Sequence, residues 1–174
     1  MTLPHEPESG IPRTGLRESH AHVAMLGREL SALALHDCSS RDEALDRIAR
    51  EAARKREARE PGWLVAAGVR VEAWGEPRWP TMQELDACCP DRACFVRGFD
   101  YHSCAVNRRA FEHAGLRDTS PNPPGGVICR GADGTPSGLL LEAAYARVRD
   151  AVPEPTRGEW KEMLRLGLST LASH

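Results

Sequence analysis

The unbroken apolar stretches in this chain are short, for example Leu64 to Val69 and Gly138 to Leu141. Runs of that length suit buried strands. Neither approaches the roughly 20 apolar residues that a membrane-spanning helix needs, so no membrane association is expected. The core must be assembled from short strands and amphipathic helices, which points to an α/β protein. A length of 174 residues allows one domain of ordinary size. Lys and Arg total 23 against 25 for Asp and Glu, a formal net charge of -2. That balance argues against nucleic-acid binding by bulk positive charge.

Element signals alternate along the chain. Residues 1–14 are polar and Pro-rich and read as a loose lead-in. They hold no apolar segment like that of a signal peptide. The six cysteines are therefore read as reduced thiols of a cytoplasmic protein. Gly15 to His22 reads as a short strand with its exit loop, and Val23 to Leu35 as a buried helix. Ser39-Ser40-Arg41-Asp42-Glu43 is a helix start, with a Ser cap and acids in the first turn. That helix runs to Pro61-Gly62. Trp63 to Val69 and Ala93 to Phe99 read as strands, and Thr81 caps a short helix between them. Ala105 to Ala114 reads as helix, stopped by Gly115. Asp133-Gly134 marks a hairpin between Val127–Arg130 and Ser137–Leu139. Leu140 to Val148 reads as helix. Pro153-Glu154-Pro155-Thr156 opens a last helix, on which Trp160, Met163, Leu164, Leu168 and Leu171 form one apolar stripe.

His20-Ala21-His22 is the sharpest chemical signal. On an extended segment residues two apart share a face, so both imidazoles can reach one metal ion. Neutral imidazole suits zinc and similar divalent metals. By itself a His-x-His pair is equally readable as two surface or core histidines. Cys88, Cys89 and Cys94, with His102 downstream, lack paired C-x2-C spacing and read as small buried thiols. The tryptophans read as core and loop anchors, with Trp74 and Trp79 the two that could line a substrate pocket.

Gly15-Leu16-Arg17-Glu18-Ser19-His20-Ala21-His22 resembles the first-strand signature of the metal-dependent amidohydrolase superfamily, roughly Pro-Gly-Leu-Ile-Asp-Ser-His-x-His. Asp100-Tyr101-His102 through Asn107 to Ala110-Phe111 resembles the Asp-Gly-His-x-x-x-x-Asn-x-x-Ala-Leu block of one branch. That branch, amidohydrolase family 3, includes the N-substituted formamide deformylases. Leu85-Asp86 through Pro90 to Arg92, Gly125-Gly126-Val127-Ile128, and Gly134 to Glu142 resemble three further blocks of the branch, in the same order.

The resemblance implies a partial (β/α)8 barrel. Its first barrel strand and metal motif would occupy 15–30, and an inserted α+β segment 31–150. A barrel helix over 151–174 would lead to a second strand that the sequence does not contain. It implies His20 and His22 as metal ligands for one or two divalent ions, zinc being the first choice. His102, Asn107 and Glu142 become candidate catalytic residues. For His102 and Asn107 the alternatives are a turn cap and a backbone-bonding amide. For Glu142 they are a metal-ligand role or an acid in a first helical turn. The implied reaction is hydrolysis of a non-peptide C–N bond in a small amide-like substrate by metal-activated water. A homo-oligomer stays open. Because the later barrel strands are missing from 174 residues, little hydrolase activity is expected from the chain alone. The rival readings are a non-catalytic truncated fragment and a small-ligand binding module.

Overall fold

The structure is a computed structural model that describes residues 22–173. The lead-in and the expected first strand, His20 included, lie outside the described residues. His22 is the first residue inside them.

One six-stranded mixed sheet organises the described residues, in the order β1-β2-β3-β4-β6-β5. Its strands are β1 (Leu33–Ala34), β2 (Leu64–Val69), β3 (Cys94–Gly98), β4 (Ser103–Val106), β5 (Gly126–Arg130) and β6 (Pro136–Glu142). The first three are parallel, so each join requires a crossover. These crossovers are the helices α2 (Arg41–Glu57) and α3 (Met82–Cys88). From β3 onward every pairing is antiparallel. Three further helices follow: α4 (Arg108–His113), α5 (Ala143–Ala151) and α6 (Arg157–Ala172). A helix α1 (Val23–Ser31) precedes the sheet.

Both sheet faces are covered, and the strands show it by alternation. Cys94 and Val96 of β3, with Ala105 of β4, join a cluster with Ile48 and Ala52 of α2 and Leu85 of α3. Phe95, Cys104 and Val106 point the other way, into a cluster with Phe111 of α4 and Tyr145 and Val148 of α5. The period of two is the geometry of a strand. All six cysteines are unpaired thiols, and Cys38, Cys89, Cys94 and Cys104 are buried. No helix of the described residues is long and apolar enough to cross a membrane.

The structure corrects four sequence expectations. The helix expected over Val23–Leu35 ends at Ser31, and Leu33-Ala34 form a strand. Parallel pairing with Ala66-Ala67 wins there over the helical propensity of a Leu/Ala run. Ala105 and Val106 are strand, not helix, because their backbone pairs with Phe95 and Val96. Leu140 to Glu142 complete β6 before α5 begins. Finally, Leu164, Leu168 and Leu171 of the apolar stripe on α6 are exposed, and the helix packs by another face.

The last correction has a specific cause. The buried residue of α6 is Gly167, and that of α1 is Gly27. A Cβ on Gly27 would lie 2.0 Å from the Met163 carbonyl oxygen, and one on Gly167 would lie 2.7 Å from that of Val23. The two helices meet backbone to backbone, so small residues decide which face of α6 turns inward. Helix propensity alone favours alanine over glycine by about 1 kcal/mol. Here the clash reverses the sign. Gly27→Ala and Gly167→Ala are each expected to lower stability by about 1–3 kcal/mol in urea unfolding. Gly158, also in α6, has nothing nearer than 3.9 Å, so Gly158→Ala should instead leave stability unchanged or raise it slightly.

Candidate active site

The β3–β4 hairpin places His102. Asp100 organises its turn: Oδ1 accepts hydrogen bonds from the His102 amide at 3.0 Å, the Ser103 amide at 3.1 Å and the Ser103 hydroxyl at 2.9 Å. Aspartate is suited to this because its short carboxylate reaches back to nearby amides. The turn is so tight that a Cβ on Gly98 would lie 2.4 Å from the Ser103 hydroxyl oxygen.

Glu142 comes from the end of β6, forty residues on, and the sheet brings it alongside. Its amide donates to the His102 carbonyl at 2.7 Å. Its Oε2 lies 2.8 Å from His102 Nδ1. Both side chains are open to solvent, at 67% and 58% exposure. The hydrogen bond to Glu142, and its negative charge, raise the His102 pKa above the ordinary imidazole value. Backbone strain is concentrated here: Tyr101 has φ 60° and Glu142 φ 53°, two of the three non-glycine residues with positive φ among those described. Such conformations persist only where surrounding structure holds them. Gly126 is part of that support. It pairs with Glu142 in the sheet, and a Cβ on it would lie 2.4 Å from the Ala144 amide nitrogen. An exposed imidazole oriented by a carboxylate can hold and pass a proton near neutral pH.

Asn107 sits elsewhere. It is fully buried and caps α4. Its Oδ1 accepts from the Cys94 amide at 2.9 Å and the Ala110 amide at 3.0 Å. Its Nδ2 donates to the carbonyls of Cys89 at 3.0 Å and Arg92 at 2.8 Å. Both donors and the acceptor oxygen are committed to backbone, so the side chain ties α3, β3 and α4 together and offers nothing to a substrate.

His22 is exposed at the N-cap position of α1, where its carbonyl accepts from the Leu26 amide at 2.9 Å. Glu29, seven residues on, forms an ion pair with Arg97 of β3 and accepts a hydrogen bond from the Tyr101 hydroxyl at 3.2 Å. Arg97 also stacks over the Tyr101 ring, 4.6 Å from its centroid. The helix that follows His22 is thereby tied to the turn that carries His102. Among the described residues no group of three or more His, Cys, Asp or Glu side chains could hold a metal ion.

Trp74 is buried in the core and donates from Nε1 to the Cys38 carbonyl at 2.9 Å, and Trp79 packs against the same cluster. Trp63 instead lines a cleft of about 720 Å³ between the α1–α6 pair and the sheet, with Phe95, Arg97, Tyr101 and Tyr145. Sequence reading missed this cleft. Its residues come from segments far apart in the chain and share no local motif.

The profile of the amidohydrolase family matches residues 14–174. The chain belongs to the amidohydrolase family. It is 34% identical over 141 residues to the amidohydrolase-family protein YtcJ of Bacillus subtilis, covering 80% of this chain and 26% of that one. Similarity to the protein LONG AFTER FAR-RED 3 of Arabidopsis thaliana is 29% over 157 residues, 90% of this chain and 26% of the relative. Similarity to an N-substituted formamide deformylase of Arthrobacter pascens is 30% over 132 residues, 75% and 24% respectively. The chain thus spans about a quarter of the length of these relatives. The fold resembles crystal structures of uncharacterized metal-dependent hydrolases from Pyrococcus furiosus and Pyrococcus horikoshii. Each gives a TM-score of 0.60 over 89% of this chain, at 20% and 21% identity.

Two outcomes follow. Asn107→Asp keeps the cap acceptor but sets a carboxylate against two backbone carbonyls. It should destabilise the fold by at least about 2 kcal/mol in chemical unfolding, although Asp and Asn are equivalent at ordinary N-caps. In an NMR titration, His102 should show a pKa above about 6.5, and Glu142→Gln should return it toward that value. The sign is fixed by the partner: a raised folded pKa means the pair's contribution is complete below the unfolded pKa and fades as pH rises through the folded one.

Proposed function

We propose that this chain contributes the first metal-binding motif and an inserted α+β segment to a (β/α)8 metal-dependent hydrolase. The reaction is cleavage of non-peptide C–N bonds in small amide-like molecules. The observation that carries the reading is the family match over residues 14–174, which includes His20-Ala21-His22. Its narrower substrate class rests on the similarity to an N-substituted formamide deformylase.

The donor chemistry fits a divalent metal of the zinc type. His20 and His22 offer two neutral imidazoles from one short segment, half of an ordinary four-coordinate set. A metal held there would supply Lewis-acid activation of water and of the scissile carbonyl. The chain's own part is positioning and proton handling. Glu142 orients the His102 ring and favours its protonated form. The His102–Glu142 pair can then deliver a proton to a leaving nitrogen and take one back on the return step. The clamp of Glu29 on Arg97 and Tyr101 keeps the helix after His22 in register with that turn.

Zinc binding to the purified 174-residue chain tests this reading by equilibrium dialysis with metal analysis. The expected result is weak, stoichiometric binding that falls at least about tenfold in His20→Ala/His22→Ala, since two ligands are lost together. Binding that survives the double substitution unchanged would remove the basis of the assignment.

A further inference from the structure

The 720 Å³ cleft between the α1–α6 pair and the sheet has the volume of a small-molecule site. Trp63, Phe95, Tyr101 and Tyr145 supply flat apolar wall. Four cationic side chains also line it: Arg28, Lys55, Arg97 and Arg149. Their partners differ. Lys55 is engaged by Glu60 at 3.0 Å and Arg149 by Asp150 at 2.8 Å. Arg28 has no carboxylate partner among the described residues, and its guanidinium rests on the Trp160 ring, 5.4 Å from the centroid. Arg97 is paired on one side by Glu29, yet its buried Nε–H has no acceptor. Three acids line the cleft: Glu154 is exposed, and Glu159 is occupied in capping α6, accepting from the Thr156 amide and hydroxyl, each at 2.7 Å. Glu51 is held by Arg54 at 2.8 Å. What remains is an aromatic slot with one guanidinium, that of Arg28, which no carboxylate of the described residues engages.

We infer that this cleft binds a small organic acid with a flat apolar body, its carboxylate facing Arg28 and the Arg97 edge. An apolar wall alone would take any hydrophobic molecule. The unmatched guanidinium of Arg28 makes the site selective for an anion, because a charge-assisted Arg–carboxylate bond in a partly enclosed cleft is stronger than a neutral hydrogen bond. The aromatic faces orient the body by stacking. Among the described residues the lining does not include His22, and the proposed contacts require no metal.

Isothermal titration of the 174-residue chain with 2-naphthoate, in the presence of EDTA, tests the inference. The neutral isostere 2-naphthamide provides the charge control. One naphthoate should bind per chain, with naphthamide at least about tenfold weaker. Arg28→Gln, at a half-exposed helix position, should weaken naphthoate about tenfold and leave naphthamide unchanged. Trp63→Leu should weaken both probes alike. Equal affinity for the two probes overturns the anion assignment, and insensitivity to both substitutions overturns the location. Absence of binding by either probe overturns the site itself. Because EDTA removes metal, failure here leaves the zinc result standing, and the reverse also holds.

Discussion

Glu29 ties the first helix of the described chain to the turn between β3 and β4. Its carboxylate meets the Arg97 guanidinium and the Tyr101 hydroxyl, and Arg97 lies flat on the Tyr101 ring. Arg97 is 14% exposed and Glu29 27%, so the pair is largely removed from water. Deleting one partner would leave an uncompensated charge, which is more damaging than the pair itself is stabilising. The geometric consequence matters as much. Glu29 lies two helical turns beyond His22, about 10 Å along the axis, and Tyr101 immediately precedes His102. One polar contact therefore sets the distance between the two histidine-bearing segments. It also forms one end of the aromatic cleft.

The blocks that carry the family resemblance turn out to be mostly about packing. Asn107 spends its whole amide on backbone. Asp86 accepts from the Arg108 amide at 2.9 Å and so steadies the start of α4. Arg92 reaches the Glu60 carbonyl at 3.0 Å. Gly138 has φ +96°, and a Cβ on it would lie 2.8 Å from the Val106 carbonyl oxygen. Each of these contacts serves the packing of the chain. His102 and Glu142 differ: both are exposed, and Glu142 and the neighbouring Tyr101 have positive φ.

Much of the architecture was legible in the residues. The Ser40 and Thr81 caps, the strands over 64–69 and 94–98, and the hairpin around Asp133-Gly134 are local signals, and the structure places each element there. What escaped was non-local. Leu33-Ala34 become strand only because β2 offers a parallel edge, and Ala105-Val106 only because β3 pairs with them. The α1–α6 seam depends on two glycines that no periodicity marks. The His102–Glu142 contact joins residues forty apart through the β4–β6 pairing, and the cleft gathers its walls from α1, α2, β2, β3, α5 and α6. Motif order named His102 and Glu142 but not the contact between them.

The central claim is that the imidazoles of His20 and His22, not the thiols of Cys88, Cys89 and Cys94, hold the metal. X-ray absorption at the zinc edge of the zinc-loaded chain distinguishes them directly. The account predicts an imidazole nitrogen shell at about 2.0–2.1 Å, lost when both histidines are replaced. A sulfur shell at about 2.3 Å would contradict it.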